Sequence, residues 1–364
     1  MAEPNPTRLP ALDLLRFVAA IAVTLYHYVT CYPVPADASL APLSAISAVT
    51  RYGYLGVDLF FMISGFVILW SSMNRDALGF AVSRISRLYP TFWVSIAFTV
   101  LCIVVLGRAV DGYQAPPLDA KMLVANATML PTMLGATRIE DVYWTLEIEL
   151  RFYAIIFALL LLRQMRNVEL WLYAWLAVAI VGLFVELPWL IRFVALQPYG
   201  PFFIAGCLFF TVMSGGLKWH RVAGLLVAAA ACVYVSIPQR AQFVTPDAIS
   251  AWIVPALVLV FFAMFALILR PGEPRLPRLA YRLGELTYSL YLTHATMGLL
   301  VYQLLRPRLG VGLALLAITV LSLVVAWAIT YAVDRPARKP LANLLYRCAA
   351  ILRIHKPAAG NPTR

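Results

Sequence analysis

Charged residues are scarce in this chain. They make up 13% of its 364 residues, roughly half the share in an ordinary soluble domain. Acidic groups are scarcer still, 17 against 29 Lys and Arg, which leaves a net charge of +12. The five cysteines (31, 102, 207, 232 and 348) show no CxxC spacing, which argues against both a disulfide framework and a zinc site, and no other metal set is expected. There is no repeat at a fixed period, no low-complexity linker and no room for a second soluble domain. Apolar sequence fills the space instead: 62% of residues are hydrophobic and the mean hydropathy is +0.83.

Apolar runs of about 20 residues, the length that crosses a bilayer, recur along the whole chain. Ten are expected, at about 11–31, 52–71, 89–107, 142–162, 168–187, 198–214, 220–237, 249–269, 284–304 and 311–333. The expected fold is therefore an all-α integral membrane bundle of about ten transmembrane helices. The first run carries Asp13 and Arg16 and lacks a clean small-x-small cleavage site, so it is not expected to be a cleavable signal peptide. With the N-terminus placed in the cytoplasm, 19 of the 29 Lys and Arg fall in inner segments, eight fall in outer ones, and Arg16 and Arg151 lie within spans. That bias predicts both termini inside. It also accounts for the basic excess without a nucleic-acid partner. The expected division is a transmembrane domain over 1–340 and a basic cytoplasmic tail over 341–364.

The polar residues inside these spans are costly, so each is a candidate for function. Arg16 and His27 are eleven residues apart on the first helix. Eleven steps come to about 20° past three full turns, so the two share one face about 16 Å apart along the axis. Arg16 then lies toward the cytoplasm and His27 in the outer half. Asp58, about two turns into the second span, and Glu149 in the fourth reach a similar outer level. Glu147 and Arg151 are spaced i,i+4 and are expected to pair. His294 falls near the middle of the ninth span. Arg84, Arg87 and Arg282 join Arg16 and the Asp334-Arg335-Pro336 stretch at the inner face, where they form a basic mouth suited to a phosphate-bearing ligand. Each also has a blander reading: snorkelling for Arg16, the positive-inside rule for Arg84 and Arg87, a helix start for Asp58 and a core hydrogen bond for His294.

Five segments resemble, in order, the acyltransferase-3 family of integral-membrane O-acyltransferases. They are Arg16-x10-His27; Gly56-Val57-Asp58-Leu59-Phe60-Phe61-Met62-Ile63-Ser64-Gly65-Phe66; Arg84-x-x-Arg87 with Pro90; Trp144-Thr145-Leu146-x-x-Glu149-x-x-Phe152-Tyr153; and Tyr288-Ser289-Leu290-Tyr291-Leu292-x-His294. The resemblance runs from Leu12 to Pro336. It implies transfer of an acyl group, usually acetyl, from cytoplasmic acyl-CoA to a hydroxyl of a surface or exported carbohydrate, with a catalytic role for His27. It implies donor-binding or structural roles for Arg16, Arg84, Arg87 and Glu149, in a bacterial cytoplasmic (inner) membrane; His294 is expected with the donor-binding residues. Two departures stand out. Asp334 occupies a position where the family tends to have Glu. The C-terminal hydrolase-like domain of many members is not expected here, so the acyl group would reach its acceptor within the membrane domain or through a partner.

The expected chemistry has neutral His27 removing a proton from the acceptor hydroxyl, with Glu149 or Asp58 orienting the imidazole. A covalent acyl-histidine is the alternative mechanism. The competing functions are a proton-coupled transporter or a glycan-export protein without acyl transfer.

Overall fold

The computed structural model describes residues 9–31, 41–243, 250, 252–270 and 278–352, and among these there are helices and no strands. Thirteen helices follow in order: α1 (Pro10–Tyr26), α2 (Ala41–Thr50), α3 (Gly56–Ser72), α4 (Ala77–Leu106), α5 (Ala120–Ala127), α6 (Trp144–Leu161), α7 (Val168–Phe184), α8 (Trp189–Val194), α9 (Gly200–Gly215), α10 (Trp219–Phe243), α11 (Ile253–Ile268), α12 (Arg278–Ile329) and α13 (Arg335–Ile351). Six segments are long and apolar enough to cross a membrane: Pro10–Cys31, Ala45–Ser72, Ala77–Ala109, Gln164–Phe184, Trp219–Pro238 and Leu279–Ile351. Two shorter apolar helices, Gly200–Gly215 and Ile253–Ile268, accompany them. α6 carries Glu147, Glu149 and Arg151 within its 18 residues.

Helix ends follow local chemistry. Pro10 occupies the first turn of α1, where its missing N–H costs nothing. Asp76 and Asp119 cap α4 and α5 by accepting from the N–H of Gly79 and Met122, each at 2.8 Å. α12 is two helices in one stretch. Pro307 precedes Gly310, whose φ of 73° is open to glycine and strained for other residues. Ser289 near one end bonds Thr330 beyond the other at 2.8 Å, so the two halves run antiparallel.

The core is centred on α3 and α9, which approach closely because glycine faces backbone on both. A Cβ on Gly65 would collide with the carbonyl of Phe203, and one on Gly206 with that of Met62. α1 lies against the first half of α12 in the same manner, Gly284 facing Asp13. Two π-helical turns interrupt the bundle, His27–Cys31 at the end of α1 and Thr330–Asp334 between α12 and α13. Such turns are rare and favour functional positions; here each carries a polar residue of the site. The expected tail, 341–364, starts within α13, and its residues 353–364 lie outside the described residues.

Candidate active site

A cavity of about 400 Å³ opens between α1, α3, α4, α6, α12 and α13. Five arginines line it: Arg16, Arg75, Arg84, Arg87 and Arg338. The carboxylates in its wall are Asp13, Glu149 and Glu285. Glu285 pairs with Arg335 at 2.6 Å, and Glu149 accepts hydrogen bonds from Ser64 and, at 2.7 Å, from the Tyr153 hydroxyl. Among the described residues, no ion pair involves Arg16, Arg84 or Arg87. Arg84 is the most telling of the three. It is buried, its guanidinium lies 5.8 Å from the Phe80 ring and 6.0 Å from the Tyr153 ring, and its Nε and Nη1 have no hydrogen-bond partner. A buried cation with idle donors beside a cavity is costly alone and satisfied by an anion.

Arg338 owes its place to Asp334. This buried carboxylate, in the second π-helical turn, binds the Arg338 guanidinium through both oxygens and accepts from Thr91 at 2.9 Å. The shorter carboxylate at 334 is thus a fixed arm that aims a fifth arginine at the cavity. Arg282, expected in the basic mouth, is exposed and does not line it.

Thr145 and Tyr291, whose hydroxyls bond at 2.8 Å, also line the cavity. Beyond this pair lie two histidines. The Tyr291 ring is 5.9 Å from that of His294, and the His294 ring is 5.0 Å from that of His27. His294 Nε2 and His27 Nδ1 are 3.2 Å apart. Each imidazole also turns Nδ1 to its own helix: His27 to Val23 O at 2.8 Å, His294 to Leu290 O and Tyr291 O at 3.1 and 2.9 Å. A carbonyl oxygen only accepts, so the hydrogen-bond partners assign a hydrogen to both Nδ1 atoms. The single His27 Nδ1 hydrogen is then shared between Val23 O at 2.8 Å and, at 3.2 Å, the His294 Nε2 acceptor, and His27 Nε2 keeps a free lone pair.

Side chains of other elements bond the backbone of α12 where it carries His294. The Tyr28 hydroxyl donates to His294 O at 3.0 Å and the Tyr143 hydroxyl to Leu292 O at 3.2 Å. Two residues on, the N–H of Thr296 donates to Glu140 at 3.2 Å and its hydroxyl at 2.9 Å, and the Thr99 hydroxyl bonds the same carboxylate at 3.1 Å. Glu140 precedes α6. Burial pushes its carboxyl up to about 7 against the pull of these hydrogen bonds.

The sequence-predicted residues therefore divide into two groups. Arg16, Arg84 and Arg87 share one cavity. Glu149, expected beside His27, shares that cavity with them and bonds Ser64 and Tyr153. His294, expected with the donor-binding arginines, touches His27. Asp58 is buried in the first turn of α3, and no hydrogen bond joins it to His27. The Glu147–Arg151 pairing gives way to other contacts. Glu147 accepts from the Thr132 hydroxyl at 2.7 Å, and Arg151 bonds the Glu147 backbone and stacks on Phe193 at 4.6 Å. Glu140, Arg75 and Arg338 were missed. For Arg338, the i,i+4 spacing from Asp334 was a readable signal; for Glu140, the only hint was an acidic pair just before a span.

Three comparisons bear on this arrangement. A family model described as an acyltransferase domain matches residues 9–331. ORF330 of Acidianus two-tailed virus, which carries an acetyltransferase name, is 28% identical over 296 residues, 79% of this chain and 83% of its own. The acyltransferase MdmB of Streptomyces mycarofaciens is 31% identical over 41% of this chain and 38% of its own. YrhL of Bacillus subtilis (strain 168), whose name refers to peptidoglycan O-acetylation, is 30% identical over 40% of this chain and 23% of its own. No solved structure matches the chain.

Proposed function

Because this chain belongs to the acyltransferase-3 family, and is thus a multi-pass membrane acyltransferase, we propose that it moves an acyl group, acetyl in the first instance, from acyl-CoA to a hydroxyl of a cell-surface or exported carbohydrate. The observation that carries the donor is the arginine-lined cavity with Arg84 idle in its wall. A coenzyme A thioester matches it in chemistry: phosphates for the guanidinium groups, and a thin arm to reach past Tyr291. The carbohydrate acceptor is supported by the name of YrhL.

The proposed bundle has about ten crossings, with both ends on the cytoplasmic side of a bacterial inner membrane. In support, Arg16 near the start of α1 and Arg338 in α13 line the same cavity. The donor enters from that side, and its thioester approaches His27 about three helical turns further along α1.

His27 Nε2 takes the proton of the acceptor hydroxyl as its oxygen attacks the thioester carbonyl. The C–S bond breaks, the ester forms, and the CoA sulfur leaves with the proton returned by the imidazolium. His294, rather than Glu149 or Asp58, orients the base. Its Nε2 lone pair shares the His27 Nδ1 hydrogen with Val23 O and stabilises the positive charge on the ring, the part a carboxylate plays in a serine triad.

The test uses purified protein in nanodiscs, labelled acetyl-CoA and extracted surface glycan. His27→Ala should lower label transfer by at least about 10²-fold, the usual scale for a general base, while the protein still binds CoA. Near-normal transfer by that variant overturns the assignment.

A further inference from the structure

Next to the cavity, between α4 and α13, is a shallow groove of about 270 Å³ that the transfer chemistry does not use. Arg75, Ser83, Ser86 and Arg338 line both, so groove and cavity are continuous. The groove adds Lys339 and Tyr346, with Val82 and Ala342 as its floor. Its lining holds three cations and no carboxylate. Arg338 is held in position by Asp334, whereas Arg75 and Lys339 are exposed and form no ion pair among the described residues.

α13 presents these groups with a simple register. Arg338, Ala342 and Tyr346 are four residues apart and share one face. The small side chain at 342 leaves a gap between the cationic end and the aromatic one. Tyr346 is 45% exposed, and its hydroxyl comes within 3.5 Å of the position a Cβ on Gly79 would take, so the side chain is braced against the first turn of α4. An open aromatic ring at one end and three phosphate-binding side chains at the other make a site for a phosphorylated nucleoside: base on the ring, phosphates on the cations.

We propose that this groove holds the 3′-phosphorylated adenosine end of the donor, and that Lys339 and Tyr346 are donor-specificity residues. The inference rests on the reading of the donor as a CoA thioester. It assigns the arginines of the deep cavity to the diphosphate and arm, and α13 to the one phosphate that distinguishes CoA from its 3′-dephospho form.

Binding of CoA and of 3′-dephospho-CoA to the full chain in zwitterionic nanodiscs, measured by calorimetry, tests this without an acceptor. The wild type is expected to bind CoA about tenfold more tightly, the value of one charge-assisted contact to phosphate. Lys339→Ala should weaken CoA binding to the level of dephospho-CoA and leave dephospho-CoA binding as it was. Tyr346→Ala should weaken both, and Tyr346→Phe neither. Equal binding of the two ligands by the wild type, or an unchanged preference in Lys339→Ala, overturns the proposal while leaving the CoA donor standing. The unchanged preference is also what a groove reserved for a lipid headgroup phosphate would show. Failure of the wild type to bind either ligand overturns the CoA reading itself, and this proposal with it.

Discussion

His27 and His294 are 267 positions apart and meet through single nitrogen atoms. Their polarity follows from their neighbours: carbonyl oxygens of their own helices fix a hydrogen on both Nδ1 atoms, so His294 Nε2 is a lone pair that shares the His27 Nδ1 hydrogen with Val23 O. A neutral acceptor stabilises an imidazolium less than a carboxylate would. It also spares the membrane interior a second fixed charge, which is costly there. Removal of that acceptor should therefore act on turnover and not on donor affinity. His294→Ala is expected to lower kcat by about tenfold to a hundredfold with the CoA dissociation constant unchanged. His294→Gln, whose side-chain oxygen also accepts, should recover part of the loss. A raised CoA dissociation constant with unchanged kcat would instead return His294 to the donor site, where its motif first suggested it belonged.

At the scale of elements, the site depends on interruptions of helices as much as on helices. α1 ends in a π-helical turn at His27, and a second π-helical turn carries Asp334. Glu140 is tied to α12 by the Thr296 N–H and hydroxyl, both of which donate to its carboxylate. This anchor titrates. Its carboxyl releases its proton near pH 7 in the fold and near 4.5 when solvated. Between those values the folded state holds the extra proton, so stability falls as pH rises from about 4.5 to 7 and stays lower above that. A gap of this size corresponds to about 3 kcal/mol. Glu140→Gln keeps a carbonyl oxygen for Thr296 and removes the titration. Melting of the variant in detergent should therefore lose the part of the decline between pH 5 and 7 that the wild type shows. Equal slopes for the two proteins would show that Glu140 is not the group responsible.

Legibility in the sequence divides along the same line. Arg16, Arg84 and Arg87 were readable because a charged residue in or beside an apolar run is conspicuous and helical spacing gives its depth. Apolar runs mark where helices form, because backbone in a bilayer must satisfy its own hydrogen bonds, and six segments among the described residues are long and apolar enough to cross. Partner choice was not readable. Depth along an axis says nothing of azimuth, so Asp58 and Glu149 were expected to orient His27, and His294 was expected with the donor. Glu140 was invisible because it lies between elements, where a carboxylate normally meets water. Asp334 and Arg338 had the spacing of a surface pair; only the packing of α13 on α4 turned that pair toward a cavity.

The whole molecule has a direction, and that direction can be tested with the thiols it already has. If the donor cavity faces the cytoplasm, the end of α1 that carries His27 must face the other way. Cys31 closes the first π-helical turn, fifteen residues beyond Arg16 and thus about 20 Å along the helix; Cys348 lies on α13, two residues beyond Tyr346. Both are exposed, whereas Cys102, Cys207 and Cys232 are buried. A membrane-impermeant maleimide should label Cys31 in spheroplasts and Cys348 in inverted membrane vesicles. The variants Cys31→Ser and Cys348→Ser would identify which band is which. The opposite pattern would reverse the path drawn for the donor, since the arginines would then open to the side that holds no acyl-CoA. Labelling of both thiols from a single side would show that α1 does not cross the membrane, and the separation of donor and acceptor at its two ends would fall with it.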